Sequence, residues 1–216
     1  MRILIYAIVL LAIIPVFNGC SSLRKMGDLP DVTIAINIRS SDNDLNFINL
    51  HLYKLKLIDI LDDFQSVHFD LVESDENPEL LLDITIPHFN VWPKEERVTR
   101  RAFARNIVVG QDQNGRPVYQ TVRASADVVQ LQIRANATFE TRMRQKGNTK
   151  IYEKSFPSNF RWGSVYLENI RGDMRAIDPF VATTPPFEPE DFDLLLALSK
   201  DEMVTRLSRE IRTYFR

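Results

Sequence analysis

Hydrophobic residues from position 31 onward alternate first with the period of a strand and then with the period of a helix. Residues 32–38 place Val and Ile at every second position, which predicts a half-buried strand. Apolar residues at three- and four-residue spacing over 50–64 predict an amphipathic helix. Residues 67–71 and 80–92 predict two further strands, and Pro87 marks an edge or a bulge in the second of these.

The clearest alternation covers residues 129–144, with apolar side chains at every odd position except Thr141 and polar ones at even positions. A pattern of this length is typical of a long antiparallel strand with one buried and one solvated face. Asn114-Gly115 predicts a hairpin turn, residues 106–110 a strand before it, and Gly147 a turn into a strand over 150–156.

The C-terminal part is predicted to be helical. Ser199 and Glu202 have the spacing of a capping box, and apolar residues repeat at helical spacing after it. Residues 191–198 are either an earlier helix or the front of the same one. The order of elements predicts one α+β domain over 31–216, with a mainly antiparallel sheet and an N-terminal and a C-terminal helix packed on one face.

The first twenty residues have the parts of a secretory signal peptide. Arg2 precedes an apolar run over 3–17, which is shorter than the ~20 residues that a membrane-spanning helix needs. Asn18, Gly19 and Cys20 follow, and Cys20 is the one cysteine of the chain. The pattern predicts a signal peptide over 1–19.

Gly19-Cys20 after such a run resembles the lipobox of bacterial lipoproteins. The resemblance implies that the Cys20 thiol receives a diacylglyceryl group and that Cys20 becomes the mature N-terminus. Residues 20–30 would then be a lipidated tether, and the absence of an acidic run after Cys20 favours the periplasmic side of the outer membrane. A non-lipidated signal peptide and a short uncleaved anchor are the two other interpretations.

Composition narrows the class of protein. The chain has 27 basic and 29 acidic residues, 44% hydrophobic residues and a pI of about 6.0. These values exclude a disordered chain, a disulfide-rich mini-protein and a strongly basic nucleic-acid binder. An acylated Cys20 would leave no thiol for a disulfide, a nucleophile or a metal site.

The sequence predicts no catalytic, cofactor or metal site, and therefore no enzyme. Neither metal-ligand spacing nor a nucleotide-binding glycine pattern is present, and Ser164 lacks the second glycine of a nucleophile elbow. The side chains considered and interpreted as ordinary surface groups are His51, His68, His88, Asp59, Asp62, Asp63, Glu73, Asp75 and Glu76.

Arginines concentrate in the strand region. They are Arg97, Arg100, Arg101, Arg105, Arg123, Arg134, Arg142 and Arg144. They could bind a phosphate-bearing glycolipid, anionic lipid headgroups or an acidic partner. Alternatively, they could lie on the solvated face of a sheet and protect its edges from unwanted strand pairing. Several aromatic residues lie late in the chain. If they are exposed, they could contact a groove of a partner protein; if they are buried, they hold a loop against the sheet. They are Phe160, Trp162, Tyr166, Phe180 and Phe187.

Residues 155–177 resemble a segment of uncharacterised bacterial envelope lipoproteins. The matching positions are Tyr152, in the strand that leads into this segment, followed by Phe156, Trp162, Gly172, Asp173, Arg175 and Ala176. The layout also resembles lipoproteins of the lipopolysaccharide-assembly and curli-secretion types. These resemblances imply a lipid-anchored protein with a structural, docking or assembly role and an envelope protein as partner. The alternatives are a lipid- or glycan-binding module and a hydrolase with a non-standard site.

Overall fold

The computed structural model describes residues 30–41, 45, 48–63 and 67–215. Residues 31–216 form one compact unit. The predicted signal peptide over 1–19, Cys20 and the tether as far as residue 29 lie outside the described residues.

Six strands and a C-terminal helical segment make up most of the described chain. The strands are β1 (Asp31–Ser40), β2 (His68–Leu71), β3 (Leu80–Val91), β4 (Glu95–Gln111), β5 (Pro117–Gln145) and β6 (Ile151–Gly172). The helices are α1 (Leu50–Asp62), α2 (Asp191–Ser199) and α3 (Thr205–Tyr214), with a π-helical turn, Lys200–Val204, between the last two. Short 3₁₀ turns lie at Ser74–Glu76 and Met174–Ala176.

The strands form a mixed sheet that is organised around β5. β1 pairs in parallel with β2 and β3, whereas β3, β4 and β6 all pair antiparallel with β5. β6 pairs with residues 124–144 of β5, along one of its edges. β3 pairs with residues 135–145 of β5 and β4 pairs with residues 117–132, so these two strands must share the opposite edge. β4 thus continues the line of β3 beyond the body of the sheet.

We call this continuation the arm. It consists of β4 together with the paired residues 117–132 of β5 and 163–172 of β6. At ~3.3 Å per residue, the 29 residues of β5 correspond to about 95 Å of extended chain. The arm therefore extends well past the part of the sheet that the helices cover.

The helices cover one face of the sheet, here called the helix face. Buried side chains from β1, β3, odd positions of β5 and all three helices form a single core. Tyr53 of α1 is the largest side chain that is fully buried in it. Asn49 starts α1, since its side-chain oxygen accepts a hydrogen bond from the Leu52 backbone N–H at 3.0 Å. The α+β class, the mainly antiparallel sheet and the helices on one face are confirmed.

β5 changes its buried face within the arm. Odd positions are buried from Val129 to Met143, but Val122, Ala124, Ala126 and Val128 are buried at even positions. The register of β4 with β5 is unbroken across this point, so the two sets lie on opposite faces. We call the face opposite the helices the open face.

Residues 173–182 cover the even-numbered set on the open face of the arm. Ala176 and Ile177 pack against those side chains and Leu167, and the Leu167 N–H donates to the carbonyl oxygen of Ala182 at 2.9 Å. Farther along, Lys94 Nζ lies 2.7 Å from Glu188 Oε1. The connection from β6 to α2 is therefore fixed to the sheet at both of these points.

The prediction of a helix start at Ser199 was wrong. The helix begins after Glu190, whose side chain forms a capping box with Asp193, and it continues through the π-helical turn to Tyr214. Ser199 is buried inside it and its hydroxyl donates to the Leu196 carbonyl at 2.8 Å. A serine inside a helix can bond to the preceding turn in this way, so the motif alone does not mark a start.

Gly172 ends β6 in a conformation that other residues rarely adopt. Its φ is +101°, and a Cβ there would lie 2.6 Å from the Arg123 carbonyl oxygen. We expect Gly172→Ala to lower the free energy of unfolding by about 1–3 kcal/mol. Gly110→Ala is the matched control, because a Cβ at Gly110 meets nothing within 4 Å, and it should change stability by less than about 0.5 kcal/mol. Chemical denaturation of both variants measures the difference, and equal values would contradict this account of Gly172.

Candidate functional site

The open face carries a polar concavity of about 830 Å³ between β1, β3, β5 and β6. Hydrogen bonds tie its β1 and β3 side together. Ser74 Oγ donates to Asn37 Oδ1 at 2.8 Å, and Asn37 Nδ2 donates to Asp83 Oδ1 at 2.8 Å. Arg144 Nη2 lies 3.5 Å from the other Asp83 oxygen. Side chains from three strands are thus held in one fixed polar surface.

The opposite side of this concavity is also charged. Arg142 Nε lies 3.0 Å from Glu153 Oε1, Glu140 lies on the same side, and Arg39 of β1 also borders the concavity. Charges of both signs alternate over an open surface. Such an arrangement suits contact with a polar surface, and it offers a bound group several guanidinium and carboxylate partners.

The structure divides the predicted arginines into two groups. Four of them pair with carboxylates, which neutralises much of their charge. These pairs are Arg100 with Asp127, Arg134 with Glu95, Arg142 with Glu153 and Arg144 with Asp83. The remaining four, Arg97, Arg101, Arg105 and Arg123, form no ion pair with any residue that the structure describes.

The Arg100 pair stabilises an irregular point of the arm. Arg100 donates to Asp127 at 2.9 Å and to Ser125 Oγ at 3.0 Å, and Asn169 Nδ2 donates to the second Asp127 oxygen at 3.0 Å. These hydrogen bonds, first of all that from Arg100, lower the pKa of Asp127. Asn169 has a φ of +50° beside the register shift between β5 and β6. The cluster therefore holds a bulge in place.

β4 presents the uncompensated arginines on an exposed strand. Arg97, Arg101 and Arg105 lie opposite Gln130, Ala126 and Val122 of β5 and therefore share the open face. Residues 97–111 include four arginines and no acidic residue. The outer edge of β4 pairs with no other strand in the described part of the chain. An unpaired strand edge is a template for adding another strand.

A second, more apolar groove of about 640 Å³ lies at the far end of the arm. Its apolar lining comes from β4 and from residues 173–183, chiefly Ile107, Met174, Ile177, Pro179 and Val181. The turn behind it is held by Asp173, which accepts hydrogen bonds from the Arg175 backbone and side chain. The Arg175 side chain, followed by its backbone N–H, lowers the pKa of Asp173 to about 2.

The three histidines lie in three different elements, α1, β2 and β3. His68 Nδ1 is 3.1 Å from Asp62, whose other oxygen accepts from the Phe69 backbone N–H at 3.0 Å. This contact joins the end of α1 to β2. Within the described residues no group of three or more His, Cys, Asp or Glu side chains is placed to hold a metal ion.

The remaining sequence candidates occupy ordinary structural positions. Ser164 lies within β6, opposite Leu131, and an extended strand is not the sharp strand-to-helix turn of a nucleophile elbow. Asp59 lies on the exposed side of α1, 3.3 Å from Lys56, and Glu73 and Glu76 form a capping box around a 3₁₀ turn. Solvated charge at such places is common.

The late aromatic residues separate into packed and exposed ones. Phe160 and Trp162 pack against the core of the helix face, and Tyr166 packs with Val129 and Leu131. Phe180 and Phe187 are instead 95% and 85% exposed. The sequence shows that Phe180 and Phe187 both lie near prolines. Their exposure, however, depends on where the connection from β6 to α2 crosses the sheet.

Comparison with known proteins adds no relative: no family model matches the sequence, and no curated protein matches it either. None of the helices in the described residues is long and apolar enough to cross a membrane.

Proposed function

We propose that the protein is a lipid-anchored lipoprotein of the bacterial cell envelope, on the periplasmic side of the outer membrane. Cys20 would carry the lipid and residues 20–30 would link it to the folded unit. Gly19-Cys20 after the apolar run supports this proposal. Two or three acyl chains hold a protein at a bilayer far more firmly than one chain does.

We further propose that the protein docks an envelope partner through β4. The single observation that carries this proposal is the exposed β4 strand, whose outer edge is unpaired in the described part of the chain and whose residues 97–111 include four arginines and no acidic residue. Only Phe103 and Ile107 of its residues are partly buried. The partner that fits is a protein that adds an acidic extended segment to the outer edge of β4, because backbone hydrogen bonds would provide affinity and the arginines would select for negative charge.

In vivo photo-crosslinking tests this docking role. A photoreactive residue replaces Val98 in β4, and in a control it replaces Leu55 in α1; these positions are 51% and 41% exposed. We expect crosslinks from position 98 only, to a peptide that mass spectrometry identifies as acidic. Arg97→Glu with Arg101→Glu should reduce the crosslink about tenfold or more, since like charges then face each other. The same change of charge at Arg209, exposed on α3, should leave the crosslink unchanged.

Two results would contradict the docking proposal. One is equal crosslinking from positions 98 and 55. The other is a crosslink from position 98 that persists when Arg97 and Arg101 are both reversed.

The alternative of a lipid- or glycan-binding module has support from one observation, the apolar groove at the end of the arm. That groove is open and shallow, whereas sites for small ligands usually enclose most of the ligand surface.

A further inference from the structure

The far end of the arm exposes several large apolar side chains. Phe180 is 95% exposed, Tyr119 63%, Val108 58% and Met174 55%. Single exposed apolar residues are normal on protein surfaces, but a cluster at one extremity marks a contact site. We call this region, residues 101–125 and 170–183, the distal end.

Apolar side chains occupy both faces of the distal end. Val108 and Tyr119 are cross-strand partners and therefore point to the same face. Ile107 is the neighbouring residue in β4 and therefore points to the opposite face. Both Ile107 and Val108 border the apolar groove, together with Met174 and Val181. A folded partner protein covers one face of a strand hairpin more readily than both. The interface of a lipid bilayer is fluid, and it can therefore contact the apolar side chains on both faces of a narrow hairpin at once.

The distal end is basic although the chain as a whole is acidic. It contains Arg101, Arg105, Arg116, Arg123, Arg171 and Arg175, and Asp112, Asp173 and Asp178. The rest of the chain has 21 of the 27 basic residues and 26 of the 29 acidic residues. The distal end therefore has a net charge of +3, and the remainder has −5.

The three aspartates of the distal end are already engaged locally. Asp112 accepts from the Arg116 backbone N–H at 2.9 Å, Asp178 from the Phe180 backbone N–H at 3.0 Å, and Asp173 from Arg175. Arg105 and Arg116 form no ion pair within the described part of the chain. The positive charge is thus available to an external anion.

We propose that the distal end inserts its apolar side chains into the interface of a bilayer that contains anionic lipids. Phe180, Met174 and Tyr119 enter the boundary between headgroups and acyl chains, and the surrounding arginines contact the phosphates. The inference extends the proposed anchoring by adding a second membrane contact, formed by the protein itself. It does not depend on a protein partner at β4.

The test uses the full chain, purified from membranes and reconstituted into vesicles of phosphatidylcholine with or without phosphatidylglycerol. An environment-sensitive fluorophore is attached to the new thiol of Phe180→Cys, and the chain with native Phe180, treated in the same way, shows whether Cys20 takes any label. In the anionic vesicles we expect blue-shifted emission and quenching by lipid-attached spin labels, and in the neutral vesicles neither effect. High salt should reverse the shift, because it screens the attraction to the surface.

Phe187→Cys is the matched control. Phe187 is also highly exposed and belongs to the same connection, but it precedes Glu188, which is paired with Lys94. Lys94 and Ile107 are separated by about 40 Å of strand. A fluorophore at position 187 should therefore report water in both kinds of vesicle.

Charge variants test the electrostatic part of the inference. Arg105→Glu, introduced with the fluorophore at position 180, changes the charge by two. It should weaken insertion about twenty-fivefold, since each charge near an anionic surface changes affinity about fivefold. Arg209→Glu, with the same change of charge at an exposed position of α3, should leave insertion unchanged.

The outcomes separate this inference from the anchor. The protein could float with both kinds of vesicle while the fluorophore at position 180 reports as much water as the one at position 187. That result would overturn the inference and leave the anchor intact. Protein that floats only with anionic vesicles, with position 180 buried, would support the inference and overturn the anchor. The emission at position 180 could instead shift to the blue without vesicles, when an acidic protein is added. That result would assign the surface to a protein partner and contradict the inference.

Discussion

Cys20→Ala is expected to release the protein from the membrane fraction and to abolish its labelling with radioactive palmitate. Alanine has no thiol that can take a diacylglyceryl group, so all acyl chains would be lost together. Each buried methylene contributes about 0.8 kcal/mol, and one chain of ordinary length therefore contributes on the order of 10 kcal/mol before the costs of association. No other single substitution in this chain should change its partition so strongly.

Ser21→Ala is the control for this experiment. It alters the neighbouring residue and leaves the Cys20 thiol in place, so labelling and sedimentation with membranes should stay as in the native chain. If the Cys20→Ala variant kept its label, the interpretation of Gly19-Cys20 as a lipobox would be wrong. If it lost the label and still resisted extraction, the apolar run over 3–17 would be acting as an uncleaved anchor.

Tyr53→Ala is expected to have the largest effect on folding, about 3–5 kcal/mol in the free energy of unfolding. The ring is fully buried where α1 packs on the helix face of the sheet, and its removal leaves a cavity among Leu, Ile and Phe side chains. Burial also raises the pKa of the Tyr53 hydroxyl, so the group remains neutral in the folded protein at physiological pH.

Tyr53→Phe distinguishes loss of the ring from loss of the hydroxyl. It keeps the apolar contacts and should change stability by less than about 1.5 kcal/mol. Urea denaturation that is followed by circular dichroism measures both variants. A cost for Tyr53→Ala below about 1 kcal/mol would show that α1 does not pack on the sheet as described.

The elements with one buried face were predictable from the sequence. Alternation over residues 129–144 arises because only the odd-numbered side of β5 is buried, under the helices from Ile133 onward and against Tyr166 at Val129 and Leu131. The helical spacing over 50–64 arises because α1 buries one stripe. In both cases burial imposes the period that the sequence then shows.

The arm was only partly predictable for the same reason. β4 is exposed on both faces, so no alternation distinguishes it, and the sequence predicted a strand only over 106–110 of the observed Glu95–Gln111. β6 was predicted over 150–156 and extends over Ile151–Gly172, because pairing along most of β5 sustains it. The sequence offers one local sign of the change of face within the arm, the adjacent Val128 and Val129, which interrupt the alternation. Both are buried, at the point where the buried face of β5 changes.

The candidate surfaces depend on contacts between distant parts of the chain. The concentration of arginines was visible in the sequence, but which of them are neutralised was not, since Asp83, Asp127 and Glu153 reach them from other strands or from distant positions. The distal end brings residues near 107 together with residues near 177, and the separation of Phe180 from Phe187 depends on the path of the connection. Local patterns do not encode such pairings.

Intact-mass spectrometry of the protein isolated from its native membrane tests the central claim most directly. We predict a single species that begins at residue 20 and carries the added mass of a diacylglyceryl group, with or without a third acyl chain on its amino terminus. A product that retains Met1, or one that begins near residue 20 without any lipid mass, would contradict the proposed anchor.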